Sequence, residues 1–142
     1  MLGSLQAGLA FSNASLGAVH AMSHSMGGLL NLPHGECNSI LLEHIIRLNF
    51  ETVPDRYRDI ARQFGLLVDN VSDALLLEMI INRIVAMRQN VNIPASIKMD
   101  ALEEATVDYL VENALNDPCM VTNPRTLTKE EVRIIYGRVL QT

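Results

Sequence analysis

The chain has 142 residues, 49% hydrophobic and 4% aromatic, with 11 basic against 16 acidic side chains and a formal net charge of −5. That length fits one domain, and an acidic balance without a Lys/Arg cluster or an aromatic platform argues against a nucleic-acid surface. Cys37 and Cys119 are the only thiols; far apart and without CxxC spacing, they are expected to stay free in a reducing, cytoplasmic setting, as neither a disulfide nor persuasive metal ligands.

No charged residue precedes Glu36. Leu2, Leu5, Leu9, Leu16 and Val19 recur at helical steps with Ala7, Ala10, Ala14, Ala18 and Ala21 between them, which predicts a helix packed on most sides within a soluble core. No basic residues open the segment as a secretory signal requires. Ser, Asn, Gln and His interrupt it too often for a membrane span.

Downstream, helical punctuation recurs. Pro33 and Gly35 mark a break, after which Ile40, Leu41, His44, Ile45 and Leu48 predict an amphipathic helix ending near Asn49. Pro54 suits a first turn ahead of Tyr57, Ile60, Ala61 and Phe64, with Gly65 as the stop. Ser72 opens a longer segment with the stripe Leu75, Leu76, Met79, Ile80, Ile84 and Met87. Leu77, Ile81 and Val85 widen that stripe until most of the circumference is apolar, so this helix is expected to be central. Asp100 with Glu103 and Thr128 with Glu131 are capping-box patterns, each heading a further helix. Between those helices, Asn116-Asp117-Pro118 and Asn123-Pro124-Arg125 predict an ordered loop. About six helices and no convincing strand pattern predict an all-α fold, a multi-helix bundle forming a single domain over residues 1–142.

All four histidines fall between His20 and His44. His20 and His24 lie one helical turn apart on a shared face, and His34 follows a glycine pair, Gly27-Gly28. Imidazole is the commonest protein ligand for first-row transition metals and titrates near neutrality, so the cluster points to a metal or a proton path. A buried imidazole hydrogen-bonded to a carbonyl is the plainer alternative at each position. A zinc protease would need Glu beside the first histidine, where Ala21 stands, and neither a GxSxG elbow nor a GxxxxGK[ST] phosphate loop is present.

The run from Gly8 through Asn13-Ala14-Ser15-Leu16-Gly17-Ala18-Val19-His20-Ala21-Met22-Ser23-His24, continuing through Gly27-Gly28 to Leu32-Pro33-His34-Gly35-Glu36-Cys37-Asn38, closely resembles the signature of iron-containing (group III) alcohol dehydrogenases. The likeness extends to Arg47-Leu48-Asn49, Asn116-Asp117-Pro118-Cys119, Asn123-Pro124-Arg125 and the segment Thr128 to Tyr136, so nearly the whole chain is covered. Two local departures are Glu43, where many members have proline, and Lys98 to Glu104, which lacks the usual glycine-containing turn.

The resemblance implies the C-terminal helical domain of the dehydroquinate synthase-like, iron-type alcohol dehydrogenase fold. In the intact enzyme a divalent metal, Fe2+ or alternatively Zn2+, sits between this domain and an NAD(P)-binding domain. Carried over by position, His20 and His34 match the two metal ligands of the helical domain, and His24 matches a catalytic histidine lining the cleft. His44 is expected at a surface or an interface. Gly27, Gly28 and Gly35 are expected to permit close backbone approach. No phosphate-binding loop or βαβ pattern is present, and the Asp and His completing the family's metal site are not in this chain, so no cofactor-binding residue is assigned. The expectation is therefore an N-terminally truncated domain, inactive alone, whose partners are the missing nucleotide-binding domain and further copies of itself through exposed apolar surface. A non-catalytic helical association module derived from such an enzyme is the alternative.

Overall fold

The computed structural model describes residues 1–142. Seven α-helices follow one another: α1 (Leu2–Ala14), α2 (Ala18–Leu30), α3 (His34–Asn49), α4 (Pro54–Gln63), α5 (Asp73–Asn90), α6 (Glu104–Asn116) and α7 (Lys129–Val139). Short 3-10 turns occupy Phe50–Thr52 and Pro118–Thr122. The all-α expectation holds apart from one two-residue parallel pair, β1 (Ile97–Lys98) with β2 (Leu140–Gln141), in which Ile97 faces Leu140. No helix is long and apolar enough to cross a membrane.

Helix starts written into the sequence behave as local chemistry requires. Ser72 accepts from the Leu75 amide at the head of α5, Pro54 occupies the first turn of α4, and Thr128 with Glu131 forms a reciprocal capping box on α7. Gly65 closes α4 at φ 75°, a left-handed conformation that glycine adopts without a Cβ clash. The Asp100/Glu103 box does not form: α6 begins at Glu104, with Glu103 in extended backbone and no side-chain cap. Strand pairing explains the difference, because the Met99 amide donates to Gln141 O at 2.7 Å and holds the preceding residues extended.

The single N-terminal helix is in fact two. Ser15 (φ 62°, ψ −166°) breaks it, and α1 contributes no buried residue at all. Leu2, Leu5, Leu9 and Phe11 are exposed rather than in a core, because α2 spends its own faces on α3 and α6. Ser15 sits in a backbone region that is essentially glycine-only and costs on the order of 1–3 kcal/mol for other residues. Ser15→Gly is therefore expected to raise unfolding free energy by about 1 kcal/mol, measurable in urea titration.

Helix α2 is the central element. One core joins Ala18, Met22 and Met26 of α2 to α3, α6 and α7, closed by the fully buried Tyr136, whose hydroxyl donates to Met22 O at 2.9 Å. A second core lies between the C-terminal half of α3, α4 and α5, where Leu76 and Ile80 are fully buried. Helix α5 is thus not central as its apolar breadth suggested: Leu75 and Met87 stay exposed, and its inward face packs chiefly on α3 and α4. Deep in that inward face, Arg88 is buried and donates to Glu43 of α3 at 2.6 Å.

His44 of α3 is half-buried. Burial pushes its imidazole below the ordinary 6.5, aided by Arg138, Arg88 and Arg47 and opposed by Glu43. The unfolded chain therefore takes up this proton at a higher pH than the folded one, so the contribution is complete above about pH 6.5 and is lost as pH falls through the lower folded value. His20 is shifted in the same direction. The urea midpoint is expected to fall between about pH 7.5 and about pH 5, and His44→Gln to flatten part of that slope.

Candidate metal centre

Helix α2 carries two of the histidines, and its placement is fixed from outside. Gly17 precedes it without any side-chain cap. The free Ala18 amide donates instead to Asn123 Oδ1 at 3.1 Å, across 105 residues of sequence. Asn123 and Asn49 exchange reciprocal amide hydrogen bonds, both 2.9 Å, and Asn123 Nδ2 also donates to Arg125 O at 2.7 Å. One asparagine thereby caps α2, ties it to the end of α3 and braces its own loop. Gly17 leaves room for this contact, since a Cβ there would lie 3.2 Å from Asn123 Oδ1 and would push that side chain back by a few tenths of an ångström. Further along α2, Ser25 Oγ donates to Leu110 O at 2.9 Å, fixing the helix's rotation against α6.

The chain returns from α2 to α3 through Asn31, left-handed at φ 52°, whose amide donates to Gly27 O. The glycine pair does not make the turn; α2 runs through it to Leu30. Gly27 does meet close neighbours, with Leu32 O 3.3 Å and Cys37 Sγ 3.6 Å from a hypothetical Cβ, whereas Gly28 and Gly35 face open space.

His34 begins α3 and returns over the His20/His24 face. Ring centroids lie 5.1 Å apart for His20–His34, 5.2 Å for His24–His34 and 6.1 Å for His20–His24. One nitrogen from each ring falls within 4.8 Å of the others. His20 Nδ1 and His34 Nε2 are 3.2 Å apart. Metal–imidazole bonds of about 2.0–2.1 Å in tetrahedral geometry separate two ligand nitrogens by about 3.3 Å, so the pair already stands near the spacing a single ion needs. Burial holds the His20 imidazole below its usual range, and positive charge on His34 or His24 would lower it further, against a weaker pull from Asp117. A neutral imidazole is the form that ligates.

Side chains around the histidines set which nitrogen is free. Buried Ser23 Oγ lies 3.0 Å from His34 Nδ1 and donates to His34 O at 3.3 Å, an arrangement in which Nδ1–H points at the hydroxyl and Nε2 keeps its lone pair. Asn38 Nδ2 donates to that Nε2 at 3.0 Å, while its own Oδ1 is buried without a partner. His24 Nδ1 faces Asp117 Oδ2 at 2.9 Å. His24, Asp117 and Cys119 form a second donor group within 4.8 Å, so Cys119 stands nearer the centre than its spacing suggested. Burial, then the Asp117 hydrogen bond and charge, push its thiol up, away from the ligating thiolate. Cys37 is buried and its thiol is likewise raised by burial. Beside His20, a cavity of about 860 Å3 opens between α2, α3, α4 and α5, with Asn38 and Arg88 in its wall.

The expected residues therefore meet: His20, His24 and His34 converge, and His44 lies elsewhere. A family model described as "Fe-containing alcohol dehydrogenase family, C-terminal" matches residues 1–140. The chain belongs to the iron-containing alcohol dehydrogenase family. It is 38% identical over 133 residues to 1,3-propanediol dehydrogenase of Citrobacter freundii and 36% identical over 135 residues to lactaldehyde reductase of Escherichia coli (strain K12). These matches take in 94% and 95% of this chain but 34% and 35% of those proteins, so the chain spans about a third of the length of the curated relatives. Among solved structures, a 1,3-propanediol oxidoreductase superposes with a TM-score of 0.87 at 36% identity, covering 96% of this chain and 36% of that one. An alcohol dehydrogenase from Oenococcus oeni gives 0.85 at 38% identity, covering 94% and 35%. The iron-containing alcohol dehydrogenase C-terminal region thus accounts for the helical architecture from α1 to α7.

Sequence reasoning gives no site role to Ser23, Asn38, Asp117 or Asn123, although it places Asp117 and Asn123 in an ordered loop. Asp117 and Asn123 each carry a local turn signal, a short polar side chain before proline, which marks the loop but not its long-range contacts.

Proposed function

We propose that the chain supplies the metal-holding helical side of an NAD(P)-dependent dehydrogenase of small alcohols, with His20 and His34 as ligands to a divalent metal. The observation carrying this reading is the convergence of one nitrogen from each of three imidazoles within 4.8 Å. When bound, the metal supplies Lewis-acid polarisation of the alcohol or carbonyl oxygen, and nicotinamide exchanges the hydride. In the loaded enzyme His20 and His34 would hold the ion, Ser23 would keep the His34 lone pair available, and His24 would pass the hydroxyl proton to solvent as the hydride left for the nicotinamide. Two or three imidazoles without a carboxylate bind weakly, so iron is the expected occupant only together with further ligands from a nucleotide-binding domain. The test joins this chain to the nucleotide-binding part of a relative, with ferrous ion and NAD(H), and assays oxidation of 1,3-propanediol. Activity absent from either part alone supports the reading, and no gain overturns it.

The bare apolar face of α1 favours a second reading, a helical module that self-associates and uses the histidine helix for packing. Leu5→Glu with Leu9→Glu would then convert an oligomer to monomer in sedimentation analysis; a wild-type chain already monomeric at about 100 μM removes this reading.

A further inference from the structure

His24 has one ring nitrogen committed within the fold, and the group that commits it is rigid. Asp117 Oδ2 lies 2.9 Å from His24 Nδ1, across 93 residues of sequence, while Asp117 Oδ1 accepts the Cys119 amide at 2.8 Å. Asp117 also stands at the head of the Pro118–Thr122 turn, so both backbone and side chain are fixed. Its side chain is 17% exposed, against 43% for His24, so the anchor is the more enclosed partner. An ionised carboxylate can only accept hydrogen bonds. The nitrogen it faces must then carry the hydrogen, and the tautomer of a histidine is set by the bond its other nitrogen makes.

We propose that Asp117 is a positioning residue that locks His24 as the Nδ1–H tautomer and stacks its ring beside His34, leaving the Nε2 lone pair as the atom that meets the substrate's hydroxyl proton. The choice of Nε2 as the working atom rests on the dehydrogenase reading; the locked tautomer does not. The 17° interplanar angle between His24 and His34 fits a ring held from one edge. Asp117→Asn discriminates sharply. The Cys119 amide still needs an acceptor, so the asparagine Oδ1 turns to it and the NH2 group faces His24 Nδ1. A donor at that position forces the hydrogen onto Nε2, which inverts the tautomer with almost no change in shape.

The experiment is a two-bond proton–nitrogen correlation spectrum of the metal-free chain labelled with 15N-histidine, at about pH 8, above the ordinary imidazole range. Wild-type His24 is expected to give the Nδ1–H pattern, Asp117→Asn the Nε2–H pattern, and Asp117→Ala a mixture, with His44 signals unchanged as the control for folding. An Nε2–H pattern in the wild type, or an unchanged pattern in Asp117→Asn, overturns the proposal. Neither result depends on turnover, so a failure of the tautomer lock is distinguishable from a failure of the dehydrogenase reading, which shows only as missing alcohol oxidation.

Discussion

Replacing His34 by alanine is expected to weaken Zn2+ or Co2+ binding to this chain by more than about 100-fold, because losing a ligand should exceed the 10–100-fold that loss of an outer-shell partner costs. His34 is the one imidazole that reaches the cluster from α3, and its Nε2 stands 3.2 Å from His20 Nδ1. His20→Ala is expected to match it. Ser23→Ala removes only the group that faces His34 Nδ1 and should cost about 10-fold. Asn38→Ala should leave affinity intact or slightly raised, since Asn38 Nδ2 competes for the same lone pair. Isothermal titration with Zn2+ and the visible absorption of Co2+ measure all four. Equal binding by wild type and His34→Ala would remove His34 from the metal site.

The second large effect is expected in the fold. Arg88 is 5% exposed and Glu43 16%, with their ion pair at 2.6 Å inside the packing of α3 against α5. Changing Arg88 alone to methionine leaves a largely buried carboxylate unpaired, and breaking such a pair costs about 3–5 kcal/mol. Domains of this kind hold only about 5–15 kcal/mol of stability, so the single variant should lose a large share of it. Arg88→Met combined with Glu43→Leu should recover most of the loss, because the desolvation of two charges disappears with them. Arg88 Nε lacks a partner even in the wild type, which adds to that unfavourable side. Urea unfolding of the two single variants and the double variant gives the coupling directly. If Arg88→Met cost no more than a surface substitution, the pair would be wetter than its burial indicates.

Legibility from sequence follows the range of the interaction. Ser72, Pro54, Gly65 and the Thr128–Glu131 pair act on amides within a few residues, and all are readable. His20 and His24 share a face because four residues make about one turn, and the position of His34 is readable through the family likeness. What escapes depends on groups far along the chain. Asn123 caps a helix 105 residues away, and Asp117 orients a histidine 93 residues away. The Asp100 cap fails because the chain's last residues pull Met99 into an extended pair. Helix α1 departs from expectation for a different reason: apolar side chains declare a preference for burial, and whether a neighbour is there to bury them is decided by the rest of the chain. The break at Ser15 is hidden because a serine rarely adopts that backbone.

The connection from Asp117 to Thr128 joins α6 to α7, and surface connections usually tolerate insertion and drift. This one grips α2 at two places, through Asn123 at its first residue and Asp117 at its second turn. The imidazoles at 20 and 24 are therefore both placed by a single strap, so lengthening it by even one residue would misalign both together, while the distant α4–α5 link could grow without either ring noticing.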